Sequence, residues 1–346
     1  MRPVYVAGSA VTRSWAQASR NLTEFIFDGV SAALTDSGLS MADVDGVVLA
    51  AHDLTDGRGL TSMVTAPAAG AYLKDEVRLG DDGASALALA AARVRGGHSD
   101  ICVVAGWGRA SEGSADDIAR QLFDPFLARP FGMTELSVSA MRAAAALRAF
   151  PEYEGWRDEL ASRRAPLTTG LPAPRVANGG YPLRPGDLPV WSDVVAAVVL
   201  TSTPTDIEVL GIGMSTEPFD IGARDLVGMP ALAAAGERAL RMAGIGMNRV
   251  GVLEVDGLTA FDEALGLESL GAAARGAGMR MLAQSPDVNA DGGCSAGYCA
   301  PAMGLVRVSR AHHALLGGSH QYALATGSSV VAAQTQAAIV LGRTGS

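Results

Sequence analysis

Tyr298 and Asp256 carry the side chains with the clearest potential for proton transfer. Tyr298 directly follows Gly297 in a glycine-rich stretch, where a phenol could donate or accept a proton at a substrate hydroxyl. With an ordinary pKa near 10, a tyrosine that acts as a base needs nearby positive charge or strong hydrogen bonds. Asp256 follows a strand-like run and could be a base or could orient one. Its alternative interpretation is an N-cap for a helix over Phe261–Leu267.

The three cysteines are the candidates for nucleophilic chemistry. Cys299 and Cys294 lie beside Tyr298, whereas Cys102 lies in the middle of a strand-like segment and is interpreted as core. Their number and spacing exclude a disulfide framework and a four-ligand zinc site, which favours a reducing cytosol. The histidine and cysteine spacings predict no metal site, and the chain contains no dinucleotide-binding fingerprint.

A tight turn at Gly80–Gly83 precedes an Ala/Leu-rich segment that is typical of a helix. Backbone N–H groups at a helix N-terminus can bind a developing oxyanion without any side chain. The alternative is a turn that needs glycine for its backbone conformation. Asp81 and Asp82 are interpreted as N-caps of this helix.

Composition excludes several classes of protein. The 346 residues are 49% hydrophobic and 18% charged, with a net charge of −9, which is typical of a densely packed globular chain and gives no basic surface for nucleic acid. No apolar run approaches the 18 or so residues that span a bilayer, and the N-terminus lacks a signal-peptide core. We therefore expect a soluble, cytoplasmic protein that binds neither nucleic acid nor membrane.

The elements that must position these residues alternate between strands and helices. Strands are predicted over Val4–Ala10, Val44–Ala50 and Ile101–Ala105, and a helix over Leu22–Ser37 is bounded by the cap residue Asn21 and by Gly38. A further helix is predicted over residues 60–74. This order is that of a layered α/β protein.

The second half of the chain repeats the pattern of the first. The stretch from Gly38 to Val44 matches that from Gly244 to Val250. Three later glycines match at one common offset, and these pairs are Gly83 with Gly304, Gly97 with Gly318, and Gly106 with Gly327. We interpret this as an internal duplication with two α/β halves, residues 1–204 and 205–346.

An insertion at about residues 111–187 interrupts the first half. Half of the phenylalanines fall in it, together with nearby tyrosine and tryptophan residues. We expect a small cap with its own core, which could also shape a pocket for a bulky apolar substrate. Arg163, Arg164, Arg175 and Arg184 are interpreted either as contacts for a phosphorylated carrier or as solvated surface.

Three motifs in this arrangement resemble the thiolase superfamily. The family's Cys-Ala-Ser-Gly helix start corresponds to Gly80-Asp81-Asp82-Gly83, so glycine stands in place of the nucleophilic cysteine. The Asn-x-x-Gly-Gly and Gly-His-Pro motif corresponds to Asn289-Ala290-Asp291-Gly292-Gly293 and Gly297-Tyr298-Cys299, with tyrosine in place of histidine. The Cys-x-Gly turn corresponds to Ala325-Thr326-Gly327. A weaker match places Glu254-Val255-Asp256-Gly257 over a further family loop.

The resemblance implies a five-layered αβαβα fold, a dimer, and a substrate that is an acyl-CoA thioester, with no separate cofactor. It also implies substrate or oxyanion binding near the motif glycines, which are Gly80, Gly83, Gly297 and Gly327. Gly80 offers no atom to acylate, so ordinary thiolase chemistry is not expected. A cysteine-free chain of this type is similar to the lipid-transfer-protein-type aldolases, which cleave the side chain of steroid acyl-CoA thioesters and work with a small OB-fold partner.

The resemblance therefore implies retro-aldol cleavage of a β-hydroxyacyl-CoA, with Tyr298 as the leading proton-transfer group. This reaction needs a base and donors for the enolate but no covalent acyl-enzyme. Two alternatives remain open. One is a bond-forming acyltransferase that uses Cys299 or a partner's cysteine, and the other is a non-catalytic subunit of a larger complex.

Overall fold

The computed structural model describes residues 2–15, 21–57, 59–172, 174, 180–329 and 331–345. Within these ranges nine strands form one mixed sheet in the order β3-β2-β4-β5-β1-β6-β9-β8-β7. The strands are β1 (Tyr5–Ser14), β2 (Gly46–Ala50), β3 (Asp75–Leu79), β4 (Ile101–Arg109), β5 (Asp193–Thr201), β6 (Ile207–Thr216), β7 (Val252–Glu254), β8 (Tyr322–Ser328) and β9 (Thr335–Arg343).

The same ranges contain eleven α-helices. They are α1 (Leu22–Ser37), α2 (Asp53–Asp56), α3 (Ser62–Ala68), α4 (Gly83–Arg95), α5 (Ala115–Arg120), α6 (Glu135–Ala149), α7 (Tyr153–Arg164), α8 (Pro230–Ala243), α9 (Ala260–Ser269), α10 (Gly278–Gln284) and α11 (Met303–Gly317). No helix of this described part is both long and apolar enough to cross a bilayer.

Strand residues alternate between two separate apolar layers. In β2, Val48 and Ala50 pack with α4 and α11, whereas Val47 and Leu49 pack with α1. Both faces are apolar because successive strand side chains point to opposite sides and each side is covered by helices. The β2 strand is therefore apolar along its whole length, with all five residues buried.

The layers stack as αβαβα, as the sequence resemblance implied. Helices α4 and α11 lie in the middle and share one core with strands of both halves. Helix α1 covers the outer face of the first half, and α8 and α9 contribute to the core on the outer face of the second. Among the described strands, the two halves of the sheet join where β1 pairs with β6, at Tyr5–Glu208 and Val6–Ile207. The helix starts of α4 and α11 are thus buried near the centre of the molecule.

Matching glycines occupy matching places in the two halves. Gly38 and Gly244 end α1 and α8, each with a left-handed φ of 69°. A short 3₁₀ turn follows in both halves, at Met41–Asp43 and Met247–Arg249. The predicted division after residue 204 falls in the connection between β5 and β6, and the division into two domains stays a prediction.

Two local expectations differ from the structure. The helix expected over residues 60–74 is limited to α3, since Pro67 and the left-handed Gly70 and Leu73 end it early. Strand β1 continues to Ser14 instead of ending at Ala10, because it pairs with β5 along that whole length. The insertion forms α5, α6 and α7 between β4 and β5.

Candidate active site

A cleft lies between the cap and the ends of the core strands. It encloses about 900 Å³, including space open to solvent, and most of its wall is apolar. Tyr298, Asp256 and Cys299 all line it. The structure therefore brings together three of the predicted side chains that could do chemistry, while Cys294 is not among the described residues that line the cleft.

Tyr298 is fixed by the backbone of the neighbouring loop. Its N–H donates to the Val190 carbonyl at 2.8 Å and its carbonyl accepts from Ser192 N at 3.2 Å. The phenol ring packs edge-on against Trp191, with ring centroids 5.6 Å apart. Burial, reinforced by the charges of Asp256 and other carboxylates, raises the pKa of Tyr298 well above its ordinary value. Tyr298 is thus a neutral phenol that can donate a proton. A phenolate base would need positive charge nearby, and the charged neighbours of Tyr298 are carboxylates instead.

Asp256 lies just beyond the end of β7, opposite the end of β8. Its backbone N–H donates to Thr326 Oγ1 at 2.8 Å, and its Oδ2 accepts from the Ser328 hydroxyl at 2.6 Å. Its Oδ1 is buried and has no hydrogen-bond partner among the described residues. Burial raises the pKa of Asp256 to about 6. The carboxylate is therefore ionised at neutral pH, yet is basic enough to take a proton. The helix cap considered for Asp256 is supplied by Thr259 instead.

Asn289, the first residue of the Asn-x-x-Gly-Gly motif, holds the backbone beside Asp256. Its Oδ1 accepts from Val255 N at 2.7 Å, and its Nδ2 donates to the Val255 carbonyl and to Glu263 Oε1, each at 2.9 Å. Asn289 itself has a left-handed φ of 42°, which asparagine tolerates better than most residues. Asn289 thus fixes the backbone directly before Asp256, and it is not among the described residues that line the cleft.

Asp82 occupies the buried starts of both central helices. It caps α4 by accepting from Ala84 N at 2.7 Å, and it accepts from Gly304 N, at the start of α11, at 2.9 Å. A Cβ at Gly304 or at Gly327 would collide with Asp82 Oδ1. Burial and the nearby charge of Asp256 raise the pKa of Asp82. The carboxyl group of Asp82 therefore accepts hydrogen bonds from the N-terminal ends of both helices.

The four motif glycines serve packing and turns. Gly80 lies beside the His52 ring, and Gly83 packs against Leu305. Gly297 has a φ of 115°, which strongly favours glycine. Among the described residues that line the cleft, none of Gly80, Gly83, Gly297 and Gly327 appears. The expected oxyanion site at these positions stays a prediction, and the capped amide of Ala84 argues against it.

Cys299 faces the cleft but is not poised for nucleophilic attack. Its thiol packs so closely over Gly108 that a Cβ there would overlap the sulfur. Burial, with Asp193 and Asp56 nearby, raises the pKa of Cys299 to about 12. Burial also raises the pKa of Cys294, and that of Cys102 to about 12. A thiol in such a site is almost entirely protonated at neutral pH and is a poor nucleophile.

The cap contributes one wall of the cleft through aliphatic side chains. Ile118, Leu122 and Val138 line it. The aromatic residues that drew attention in the sequence lie elsewhere, with Phe126 and Phe131 more than 80% exposed. The insertion thus contributes to the cleft wall through aliphatic residues, and its aromatic residues are not among the described residues that line the cleft.

Polar cleft residues that sequence reasoning missed include Arg142, Asp262 and Glu135. Arg142 donates to Asp262 Oδ1 and to the Ala332 carbonyl, each at 3.0 Å. Glu135 accepts from Ala332 N. The only sequence signal was the Thr259-x-x-Asp262 spacing of a capping box, which says nothing of a cleft.

The cap arginines are engaged in structural contacts. Arg164 is buried in an ion pair with Glu263, and Arg163 donates to the carbonyls of Leu282 and Val288. Arg184 pairs with acidic residues on α7, and Arg175 lies outside the described residues. None of the three described arginines is a free cation awaiting a phosphate.

Comparisons with known proteins show likeness in structure alone. No protein-family model matches the chain, and no curated protein matches it. A solved structure described as an Ltp2-ChsH2(DUF35) aldolase superposes with a TM-score of 0.80 at 19% sequence identity, covering 99% of this chain and 98% of that chain. At this identity the likeness shows the fold, and it agrees with the thiolase-like αβαβα architecture.

Proposed function

We propose that the protein is a cysteine-independent aldolase that cleaves a β-hydroxyacyl thioester. One observation carries the proposal: a neutral buried phenol, Tyr298, and a buried carboxylate of raised pKa, Asp256, line the same apolar cleft. A protonated phenol and an ionised carboxylate in one apolar cleft are suited to proton transfer. The aldolase of similar fold supports the proposal by analogy.

Asp256 and Tyr298 each carry out one of the two proton transfers of the cleavage. Asp256 takes the proton of the substrate's β-hydroxyl, the new carbonyl forms, and the bond between Cα and Cβ breaks. The electron pair of that bond passes into the thioester enolate, and Tyr298 returns a proton to Cα. The products are a carbonyl compound and a shortened acyl thioester, so all atoms and electrons are accounted for. Asp256 and Tyr298 then exchange a proton with solvent to restore their starting states.

The acyltransferase alternative requires a thiolate in the cleft. Cys299 is the described cysteine that lines it, and a thiol of pKa about 12 in contact with Gly108 does not supply one. The aldolase reaction needs no sulfur. The geometry of the described residues therefore favours the aldolase.

The apolar cap wall suits a bulky apolar acyl group, and we propose that CoA carries this group as its thioester. A homodimer and a small OB-fold partner belong to the same proposal. They come from the resemblance to lipid-transfer-protein-type aldolases.

The test is turnover of a panel of β-hydroxyacyl-CoA esters by the full chain, alone and with a co-expressed OB-fold protein from its genomic neighbourhood. Mass spectrometry detects the shortened acyl-CoA. We expect Tyr298→Phe to lower the turnover number about 10²- to 10⁴-fold, the usual contribution of one proton-transfer group. The matched control is Tyr322→Phe, because the Tyr322 phenol contacts Arg249 and does not line the cleft.

Full turnover by Tyr298→Phe would rule out the assignment of the proton donor. If no ester is cleaved by any combination, the aldolase proposal is wrong and the subunit alternative gains support.

A further inference from the structure

Outside the cleft, one group of possible metal ligands lies close together among the described residues. Asp36 is in the last turn of α1, and His312 and His313 are on α11. One ligand atom from each residue lies within 4.8 Å of the others. None of the three lines the cleft as described, so this group is independent of the proposed reaction.

Each of these side chains is already oriented by a neighbour. Ser9 N donates to Asp36 Oδ2 at 2.8 Å, and the Ser9 hydroxyl lies 2.9 Å from His312 Nδ1. His313 Nδ1 lies 2.9 Å from the Ser309 carbonyl, which can only accept. Metal-binding histidines commonly donate their second ring nitrogen to a carbonyl in this way.

The contact with Ser309 fixes the tautomer of His313. Its Nδ1 must carry the hydrogen, so its Nε2 keeps a lone pair, and that atom lies 3.7 Å from Asp36 Oδ2. His312 is 2% exposed, and the contact between its Nδ1 and the Ser9 hydroxyl holds the ring in place. His313 Nε2 is the ring atom that faces Asp36.

The end of α1 adds a reason for a cation at this position. A helix C-terminus carries a partial negative charge that basic side chains usually offset. The last turn of α1 contains Asp36 and no basic residue. The end of α1 therefore adds its negative potential to that of the Asp36 carboxylate.

We propose that Asp36, His312 and His313 form a binding site for a divalent transition-metal ion such as Zn²⁺ or Co²⁺. Two imidazoles and one carboxylate suit these ions better than Mg²⁺ or Ca²⁺, which prefer oxygen ligands. Tetrahedral ligands at zinc bond lengths lie about 3.4 Å apart. The 3.7 Å pair already approaches this spacing. The widest separation is up to 4.8 Å, so a contraction of up to about 1.4 Å is needed to reach the spacing of tetrahedral ligands. Two of the three side chains, Asp36 and His313, are partly exposed and can move.

No spacing pattern in the sequence indicates this site, because its ligands are far apart in the chain, at position 36 and at positions 312 and 313. Spacing rules find sites whose ligands lie on one local motif. Here β1 brings Ser9 between α1 and α11, and the packing of three separate elements assembles the group.

The test uses the full chain without a histidine tag. Isothermal titration with ZnCl₂ is expected to show one saturable site per chain, and Co²⁺ is expected to give the visible absorption of nitrogen and oxygen coordination. Asp36→Asn and His313→Ala should each weaken Zn²⁺ binding at least tenfold. His320→Ala is the matched control, because His320 also faces a carboxylate, Asp287 at 3.3 Å, but belongs to no group of three possible ligands among the described residues.

Circular dichroism of each variant establishes that it is folded. Absence of saturable Zn²⁺ binding to the wild type would overturn the proposal. Equal binding by folded wild type and folded His313→Ala would also overturn it, as would a loss in His320→Ala as large as that in His313→Ala.

Discussion

Replacing the buried carboxyl of Asp256 tests the electrostatics of the cleft without any knowledge of the substrate. Burial raises the pKa of Asp256 from 3.8 to about 6. Between these values the folded protein holds a proton that the unfolded chain releases, so the free energy of unfolding falls as the pH rises from about 4 to about 6. At about 1.4 kcal/mol per pKa unit, the loss from pH 4 to 7.5 is about 2 kcal/mol. Asp256→Asn carries no such proton and avoids this loss.

We therefore expect the free energy of unfolding of Asp256→Asn, relative to wild type, to increase by about 2 kcal/mol from pH 4 to 7.5. Asparagine can still accept the Ser328 hydroxyl, so the hydrogen bond at 2.6 Å is replaced rather than lost. Urea unfolding followed by circular dichroism at four pH values measures the difference. Asp100→Asn is the control, because Asp100 is an exposed partner of Arg2. Parallel pH curves for wild type and Asp256→Asn would refute the reasoning that burial makes this carboxylate basic.

Three further experiments test the packing of the site: a pair of glycine substitutions, one arginine substitution and a labelling of cysteine. Gly327→Ala should lower the free energy of unfolding by about 1 to 3 kcal/mol, because the added methyl group collides with the buried carboxyl of Asp82. Gly80→Ala should lower it by less, because the methyl group there meets the His52 ring instead. Equal melting temperatures for the two variants would contradict this. Arg164→Gln leaves Glu263 buried without its ion pair, so it should lower the free energy of unfolding, measured in urea, by about 3 to 5 kcal/mol. A decrease below about 1 kcal/mol would show that the ion pair is dispensable. Iodoacetamide should alkylate Cys299 slowly in the native protein and rapidly in urea, since its thiol pKa is about 12; rapid native labelling seen by mass spectrometry would reopen the acyltransferase alternative.

Elements with local stop and start signals could be predicted from the sequence. Helix α1 runs over the predicted Leu22–Ser37, because Asn21 accepts from Glu24 N and Gly38 adopts the left-handed conformation. These signals lie within a few residues of the helix ends and need no tertiary context. The extension of β1 to Ser14 depends on pairing with a strand far away in sequence, so it was not predictable.

The site was predictable in its residue types and less so in their roles. Tyr298 and Asp256 stood out because each follows a strand or glycine-rich loop, and both line the cleft. The resemblance implied a substrate or oxyanion contact near Gly327, whereas in the structure Gly327, like Gly304, makes room for Asp82. Asp82, Gly304 and Gly327 lie on segments that are far apart in the sequence, so no local pattern of residues indicates that they are in contact.

The carboxyl of Asp82 limits where an aldolase of this fold can stabilise an enolate. The amides of Ala84 and Gly304 already donate to Asp82, so the starts of α4 and α11 have these two donors occupied. An enolate oxygen beside a buried carboxyl would also meet repulsion unless Asp82 is protonated, and its raised pKa favours that form. Donors for the enolate must therefore come mainly from side chains of the cleft wall. Two arginines line that wall, Arg109 on β4 and Arg142 in the cap. The guanidinium of Arg142 is held in place by Asp262 and a carbonyl, so the cap contributes part of the positive charge of the cleft.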